Sequence, residues 1–223
     1  MLLSALWSSA LTILMMRIKS IANAPDRAGR YRTVLEDDSV MRLYRQTIED
    51  FGLYAGQELS DDELKQLRKS AGETSAKMRA VRIVSASSVS TLDLEHRLVQ
   101  KGENPEQAKA AVTWMRELSL LDDSKTAEQV VSRCIAKGYG LLRAKQVLYE
   151  KRIPKQFWDA ALADYPEQSD KIKEFLESRL LGNPSEKDRK RAIDALLRKG
   201  HSYGQIRRAL EELAMDTEDF QED

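Results

Sequence analysis

From about residue 60 to the end, apolar side chains recur at helical spacing in short stretches separated by turn residues, which predicts a series of amphipathic helices. The stretch before it has a different period. Tyr31, Thr33 and Leu35 alternate with charged or smaller residues, Glu36-Asp37-Asp38-Ser39 interrupts, and Val40-Met41-Arg42-Leu43-Tyr44 resumes the extended pattern. That sequence predicts a β-hairpin. Phe51 to Gly56 (FGLYAG) reads as a tight loop, and Ser60-Asp61-Asp62-Glu63 opens a helix with Ser60 as cap and Glu63 as its reciprocal partner.

The helical part repeats itself. Leu98, Leu148 and Leu196 fall in register at spacings of 50 and 48 residues. Lys101, Lys151 and Lys199 coincide three places later, followed by Gly102, Arg152 and Gly200. Ala108, Trp158 and Ile206 share a column, as do Ala111, Ala161 and Ala209, each of the last three followed by an apolar residue. Agreement at so many columns with one shared spacing indicates an internal repeat.

Punctuation supports three helices per repeat, each of about a dozen residues. Ser90 and Ser185 open the middle helices of the first and third repeats, Asn104 and Ser202 cap the last ones, and Pro154 suits the corresponding first turn of the second. The expected organisation is a leader over 1–29, a small segment with a hairpin and a helix over 30–71, repeats over 72–121, 122–166 and 167–215, and an acidic tail over 216–223. The predicted fold is mainly α: tandem three-helix repeats forming an elongated, curved, solenoid-like body behind a small β-hairpin-containing segment.

Residues 2–16 (LLSALWSSALTILMM) carry no charge and precede Arg17 and Lys19. A signal peptide places its positive charge before the apolar run, and a membrane span needs about 18 or more apolar residues. The leader therefore reads as a start site assigned upstream of Met15 or Met16, a disordered extension, a weak membrane-proximal helix or a packing helix.

Composition narrows the chemistry. The 36 basic and 36 acidic residues cancel, which excludes a simply basic nucleic-acid binder. The lone Cys134 has no disulfide partner, and His96 and His201 are the only histidines, so zinc sites and histidine triads lack material. Asp122-Asp123 reads as a helix end and cap before it reads as a carboxylate pair. Gly138-Tyr139-Gly140 has no third glycine and no preceding strand, so it reads as a turn. Cys134, Trp114 and Trp158 read as core, and His201 as a turn residue. No nucleophile–base pair, metal site or cofactor motif is present, and the chain reads as a non-enzyme.

Charge is distributed more informatively. Between Arg133 and Lys155 there are seven Lys/Arg against Glu150 alone, and between Ser185 and Ala209 eight against three acids. Residues 211–223 hold seven acids and no base. On a repeat scaffold Arg143, Lys145, Lys151, Arg152, Lys155, Arg189, Arg191, Lys199, Arg207 and Arg208 would line a basic face suited to an extended acidic or polyanionic partner.

Taken together, Arg30 to Leu35 (RYRTVL), Phe51 to Leu59, Ser90 to Gly102 (STLDLEHRLVQKG), Leu118 to Asp123 (LSLLDD), Gly138 to Ile153 and Leu196 to Leu213 resemble the RecX family of bacterial regulatory proteins. The resemblance runs from about Arg30 to Leu213. It implies an all-helical modular fold with no catalysis or cofactor, binding to the RecA recombinase and its filament on single-stranded DNA, and limitation of filament growth, ATPase, strand exchange and coprotease activity. It also implies a cytoplasmic monomer in DNA repair and the SOS response, without a membrane partner, with weak direct DNA binding left open. Arg152 departs from the family, which favours glycine there, and Val84 to Val89 lacks the family's Arg-rich end. The alternative class is a helical-repeat adaptor or DNA-binding protein acting independently of RecA.

Overall fold

The computed structural model describes residues 15–182 and 184–219, with side chains through Ala214. Residues 1–14 of the leader and 220–223 of the acidic tail lie outside the described residues. Four strands come first: β1 (Met15–Ile21), β2 (Arg30–Leu35), β3 (Val40–Tyr44) and β4 (Glu58–Ser60), with α1 (Arg45–Asp50) between the last two. The helices that follow are α2 (Asp61–Ala86), α3 (Thr91–Gln100), α4 (Pro105–Glu117), α5 (Asp123–Ala136), α6 (Leu141–Glu150), α7 (Trp158–Leu162), α8 (Ser169–Arg179), α9 (Glu186–Arg198) and α10 (Tyr203–Asp219). A 3-10 turn, Lys155–Phe157, leads into α7.

The predicted hairpin is β2–β3, in antiparallel register from Arg30 opposite Tyr44 to Val34 opposite Val40. It belongs to a larger antiparallel sheet of order β3-β2-β1-β4. The leader reading is therefore corrected for its last part, because Met15–Ile21 is an interior strand. Ile18 is fully buried in one cluster with Leu35, Leu43, Leu59 and Leu67, and burial of that side chain holds the strand in the sheet. An irregularity in pairing between Ile18 and Ser20 breaks the strict alternation, which obscured the strand in the sequence. The connection to β2 is also built: the Asp26 carboxylate accepts from the backbone N–H of Ala28 and Arg30 and from the Arg30 guanidinium. Those bonds, the guanidinium's first, hold the Asp26 carboxyl down to about 2.

Helix starts follow the predicted caps. Ser60 and Glu63 form the reciprocal box at α2, Ser185 and Asp188 form one at α9, and Ser202 and Gln205 do the same before α10. Two lengths depart from a dozen residues. α2 is a single helix of 26 residues that runs through the boundary expected at 71/72. α7 has only 5 residues, since Pro154 and Pro166 bracket it and Tyr165 is tied by its hydroxyl to the Tyr139 carbonyl at 2.6 Å.

The chain gathers into two compact units. One holds the described residues through Arg82 together with Leu98–Trp114; the other holds Ile83–Arg97 and the described residues from Met115 onward. Within the second, α5, α6 and the α7 region share one core around Ala127, Val131, Cys134, Ala144 and Leu148. Helices α8, α9 and α10 share another around Ile172, Leu176, Ala192, Leu196 and Ile206. Each triplet buries its own apolar stripes, as helices of this length require.

Candidate functional site

All ten cations of the expected basic face belong to the second unit, on or beside α6, α9 and α10. Helix α6 turns Ala144 and Leu148 inward, which leaves Lys145 exposed and Arg143 half-buried. Arg143 bonds Glu150 at 3.0 Å and lies 6.0 Å from the centre of the Tyr139 ring, which Lys137 also approaches. Lys151 ends α6, and Arg152 sits in the turn beyond it at φ 52°. Lys155 opens the 3-10 turn.

In the last triplet Arg189 and Arg191 lie in the first turns of α9, and Lys199 ends that helix. At a helical rise of about 1.5 Å per residue, Arg189 and Lys199 are about 15 Å apart. Arg191 pairs with Asp188 at 3.6 Å and Arg207 with Glu211 at 2.7 Å. The Glu211 hydrogen bond raises the Arg207 pKa further. The Lys199 ammonium stands 4.5 Å from the Phe175 ring centre. Among the described residues Lys145, Lys151, Lys155, Arg189 and Arg208 are exposed with no carboxylate at ion-pair distance. These five are the exposed members of the unpaired set; Arg152 and Lys199 also lack a carboxylate at ion-pair distance but are half-buried.

The triplets meet through a contact that brings two of the candidates together. The Gly140 N–H donates to the Lys199 carbonyl at 2.9 Å. Gly140 and Gly200 pack backbone on backbone, and Gly200 lies against the backbone of Arg143. A Cβ on either glycine would overlap main-chain atoms, so this approach requires Gly140, the second glycine of the G-x-G turn. His201, read as a turn residue, is buried, and its Nε2 bonds the Gly138 carbonyl at 3.1 Å.

A matching contact lies 50 residues upstream in register. Ser90, at the start of α3, accepts from the Asp93 N–H and donates to the carbonyls of Lys151 and Arg152 at 3.0 and 2.9 Å. The Lys151 and Lys199 carbonyls, equivalent in the repeat, thus both receive the residue that opens the preceding middle helix. The Asp pair divides its work here. Asp122 caps α5 by accepting from the Lys125 N–H, while Asp123 accepts from the N–H and hydroxyl of Thr91 at 2.8 and 2.6 Å. The sequence showed Ser90, Asp123 and Gly140 as local punctuation. Their partners, tens of residues away, carried no local signal.

Among the described residues no group of three potential metal ligands forms. Cys134 is buried, and burial pushes its thiol pKa up, away from the reactive thiolate. An open cavity of about 540 Å³ between α8, α9 and α10 is lined mainly by leucines and Ile193. No described helix is long and apolar enough to cross a membrane.

Helix triplets closed by left-handed turns, with charge displayed on their outer faces, define the class: a helical scaffold behind a small antiparallel sheet. Comparison with known proteins makes the class particular. No protein-family model matches the chain. It is 26% identical over 146 residues to the Regulatory protein RecX of Vibrio parahaemolyticus, covering 64% of this chain and 94% of that one. It is 26% identical over 196 residues to the Regulatory protein RecX of Streptococcus gordonii, covering 86% and 75%. A crystal structure of regulatory protein RecX superimposes with a TM-score of 0.59 at 21% identity, covering 88% of this chain and 99% of that one. RecX from Lactobacillus salivarius gives 0.55 at 20% identity, covering 66% and 99%. The chain is thus similar in sequence to proteins named Regulatory protein RecX and shares the fold of RecX crystal structures.

Proposed function

We propose that this chain is a non-catalytic regulator that binds RecA and its filament on single-stranded DNA and restrains filament growth, ATPase, strand exchange and coprotease activity. The observation that carries this reading is its likeness to proteins named Regulatory protein RecX across most of their lengths. The exposed, unpaired cations Lys145, Lys151, Lys155, Arg189 and Arg208, on and around α6, α9 and α10, supply a physical means. Exposed Lys and Arg on a helical scaffold steer and hold an acidic or phosphate-bearing partner, and many weak contacts sum to useful affinity. Arg143, Arg191 and Arg207 are already partly neutralised, so Lys145, Lys151, Lys155, Arg189 and Arg208 lead. The protein acts in the cytoplasm as a monomer and needs no cofactor.

The test is RecA ATPase on single-stranded DNA with this protein titrated in. Inhibition at stoichiometric amounts is expected, together with tighter binding to the filament than to bare DNA. No change in ATPase overturns the reading. Equal affinity for filament and bare DNA points to a DNA-binding protein independent of RecA.

A further inference from the structure

Exposed apolar side chains on the second unit go unused by charge. Leu142 and Tyr149 stand two turns apart on the side of α6 opposite the buried Ala144 and Leu148, and they are 65% and 71% exposed. Leu197, in the last turn of α9, is 42% exposed, and Tyr203, which opens α10, is 62% exposed. Tyr149 and Leu197 occupy one register position of the repeat, 48 residues apart. Repetition at one register sets Tyr149 and Leu197 apart from the single exposed leucines that any surface carries.

The contact between triplets places Leu142, Leu197 and Tyr203 beside one junction, while Tyr149 lies two turns further along α6. Leu142 follows Gly140 by two residues, Leu197 precedes Gly200 by three, and Tyr203 follows Gly200 by three, while Gly140 and Gly200 are packed together. Charge surrounds this apolar centre. Segments 141–150, 194–200 and 203–211 hold six cations against three carboxylates, and two of the six, Arg143 and Arg207, are paired with Glu150 and Glu211. Aliphatic and tyrosine anchors inside a cationic rim have the composition of a protein-binding hot spot. A phosphate backbone gives no reward for exposed leucine. A second copy of the same face would set cations against cations, which disfavours it as occupant.

We infer that the junction of α6 with the end of α9 and the start of α10 is a protein-docking surface. Leu142, Leu197 and Tyr203 are its anchors, and its partner presents an apolar hollow edged by carboxylates. The inference rests on the RecA reading and deepens it: this surface takes the protein subunits of the filament, not the DNA within it.

The experiment uses the full chain carrying Leu142→Gln, Leu197→Gln and Tyr203→Ser, which removes apolar area and changes no charge. Binding to RecA filaments on single-stranded DNA and to bare single-stranded DNA is measured in parallel, with helicity and melting as controls. Affinity for the filament is expected to fall at least tenfold while affinity for bare DNA and melting stay unchanged. A variant that binds the filament like the wild type overturns the inference. Equal loss toward bare DNA also overturns it and assigns the patch to nucleic acid. A wild-type chain that ignores the filament overturns the RecA reading itself, a result separable from either. If the triple variant fails to fold, Tyr203→Ala alone, at an exposed helix start, is expected to weaken filament binding several-fold, and no change overturns the inference.

Discussion

Glu103, Ile153 and His201 hold one register position in the repeat, and all are buried by different chemistry. Ile153 joins an apolar core. Glu103 accepts from the Ser75 hydroxyl at 2.9 Å and lies 2.7 Å from Arg79 Nε, an ion pair without hydrogen-bond alignment. Glu103 therefore belongs to the fold. His201 donates from Nε2 to Gly138, which leaves Nδ1 buried without a partner. Burial first, then the Lys199 charge, lowers its pKa below the usual 6.5. A second proton would add a buried N–H with no acceptor. With the folded pKa depressed, this stabilisation is complete above about pH 6.5 and declines as pH falls below it, where only the unfolded chain takes up the proton. Melting between pH 7 and 5.5 should therefore slope more steeply for wild type than for His201→Gln; identical slopes would show that His201 does not titrate on unfolding.

Arg152 supplies a second residue-scale prediction. Gly102, Arg152 and Gly200 are equivalent in the repeat, and all adopt positive φ, at 89°, 52° and 88°. A left-handed conformation costs a residue bearing a Cβ about 1–2 kcal/mol, offset partly by the greater unfolded entropy of glycine, about 0.5–1 kcal/mol. Arg152→Gly is expected to stabilise by up to about 1 kcal/mol, a rise in Tm of roughly 2–4 °C. Arg152→Ala keeps the strain and should not stabilise. Comparing the two variants in the RecA assay separates the side chain's charge from its backbone.

At the scale of elements, the turns matter more than the helices. Each triplet has its own core, and the described links between the last two include main-chain contacts at Gly140, Gly200 and His201. A methyl group on Gly140 would strike the Gly200 backbone, which cannot swing aside as a side chain can. Gly140→Ala is expected to cost about 1–3 kcal/mol or more, read as a Tm lower by several degrees with helicity retained in the cold. Gly204 lies within α10 with open space where a Cβ would go. Gly204→Ala should be neutral or stabilising by about 0.4–1 kcal/mol. If the two variants melt alike, the close approach of Gly140 and Gly200 does not govern stability.

At the scale of the whole molecule, the zero net charge conceals a division by position. Acids follow Glu211, and cations concentrate between Arg133 and Arg208. Reversal of Lys145, Lys151 and Lys155 to Glu tests the proposed function without touching a described ion pair. Arg143 is left out because it bonds Glu150 and packs beside Gly200. Exposed substitutions of this kind change stability by about 0.5 kcal/mol or less each. The triple variant should melt almost like wild type and fail to inhibit RecA ATPase. Glu106 and Glu117, exposed on α4, reversed to Lys should leave inhibition intact. Full inhibition by the basic-to-acidic variant would move the binding face elsewhere.

Helix periodicity, the hairpin, the caps at Ser60, Asp122, Ser185 and Ser202, and the register of the repeat were legible in the sequence by itself. Each rests on residues within a few positions of one another, where local sterics and side-chain-to-backbone bonds decide the conformation. The motifs from Arg30 to Leu213 also carried the resemblance to RecX. Only the tertiary structure decided that Met15–Ile21 is an interior strand, because its partners in β2 and β4 lie far along the chain and its alternation is broken at Ser20. The same reason separates the cations that are neutralised from those that are not, and turns Ser90, Asp123, Gly140 and His201 from punctuation into links between triplets. Long-range pairing leaves no period in the sequence; it appears only when packing brings the partners within bonding distance.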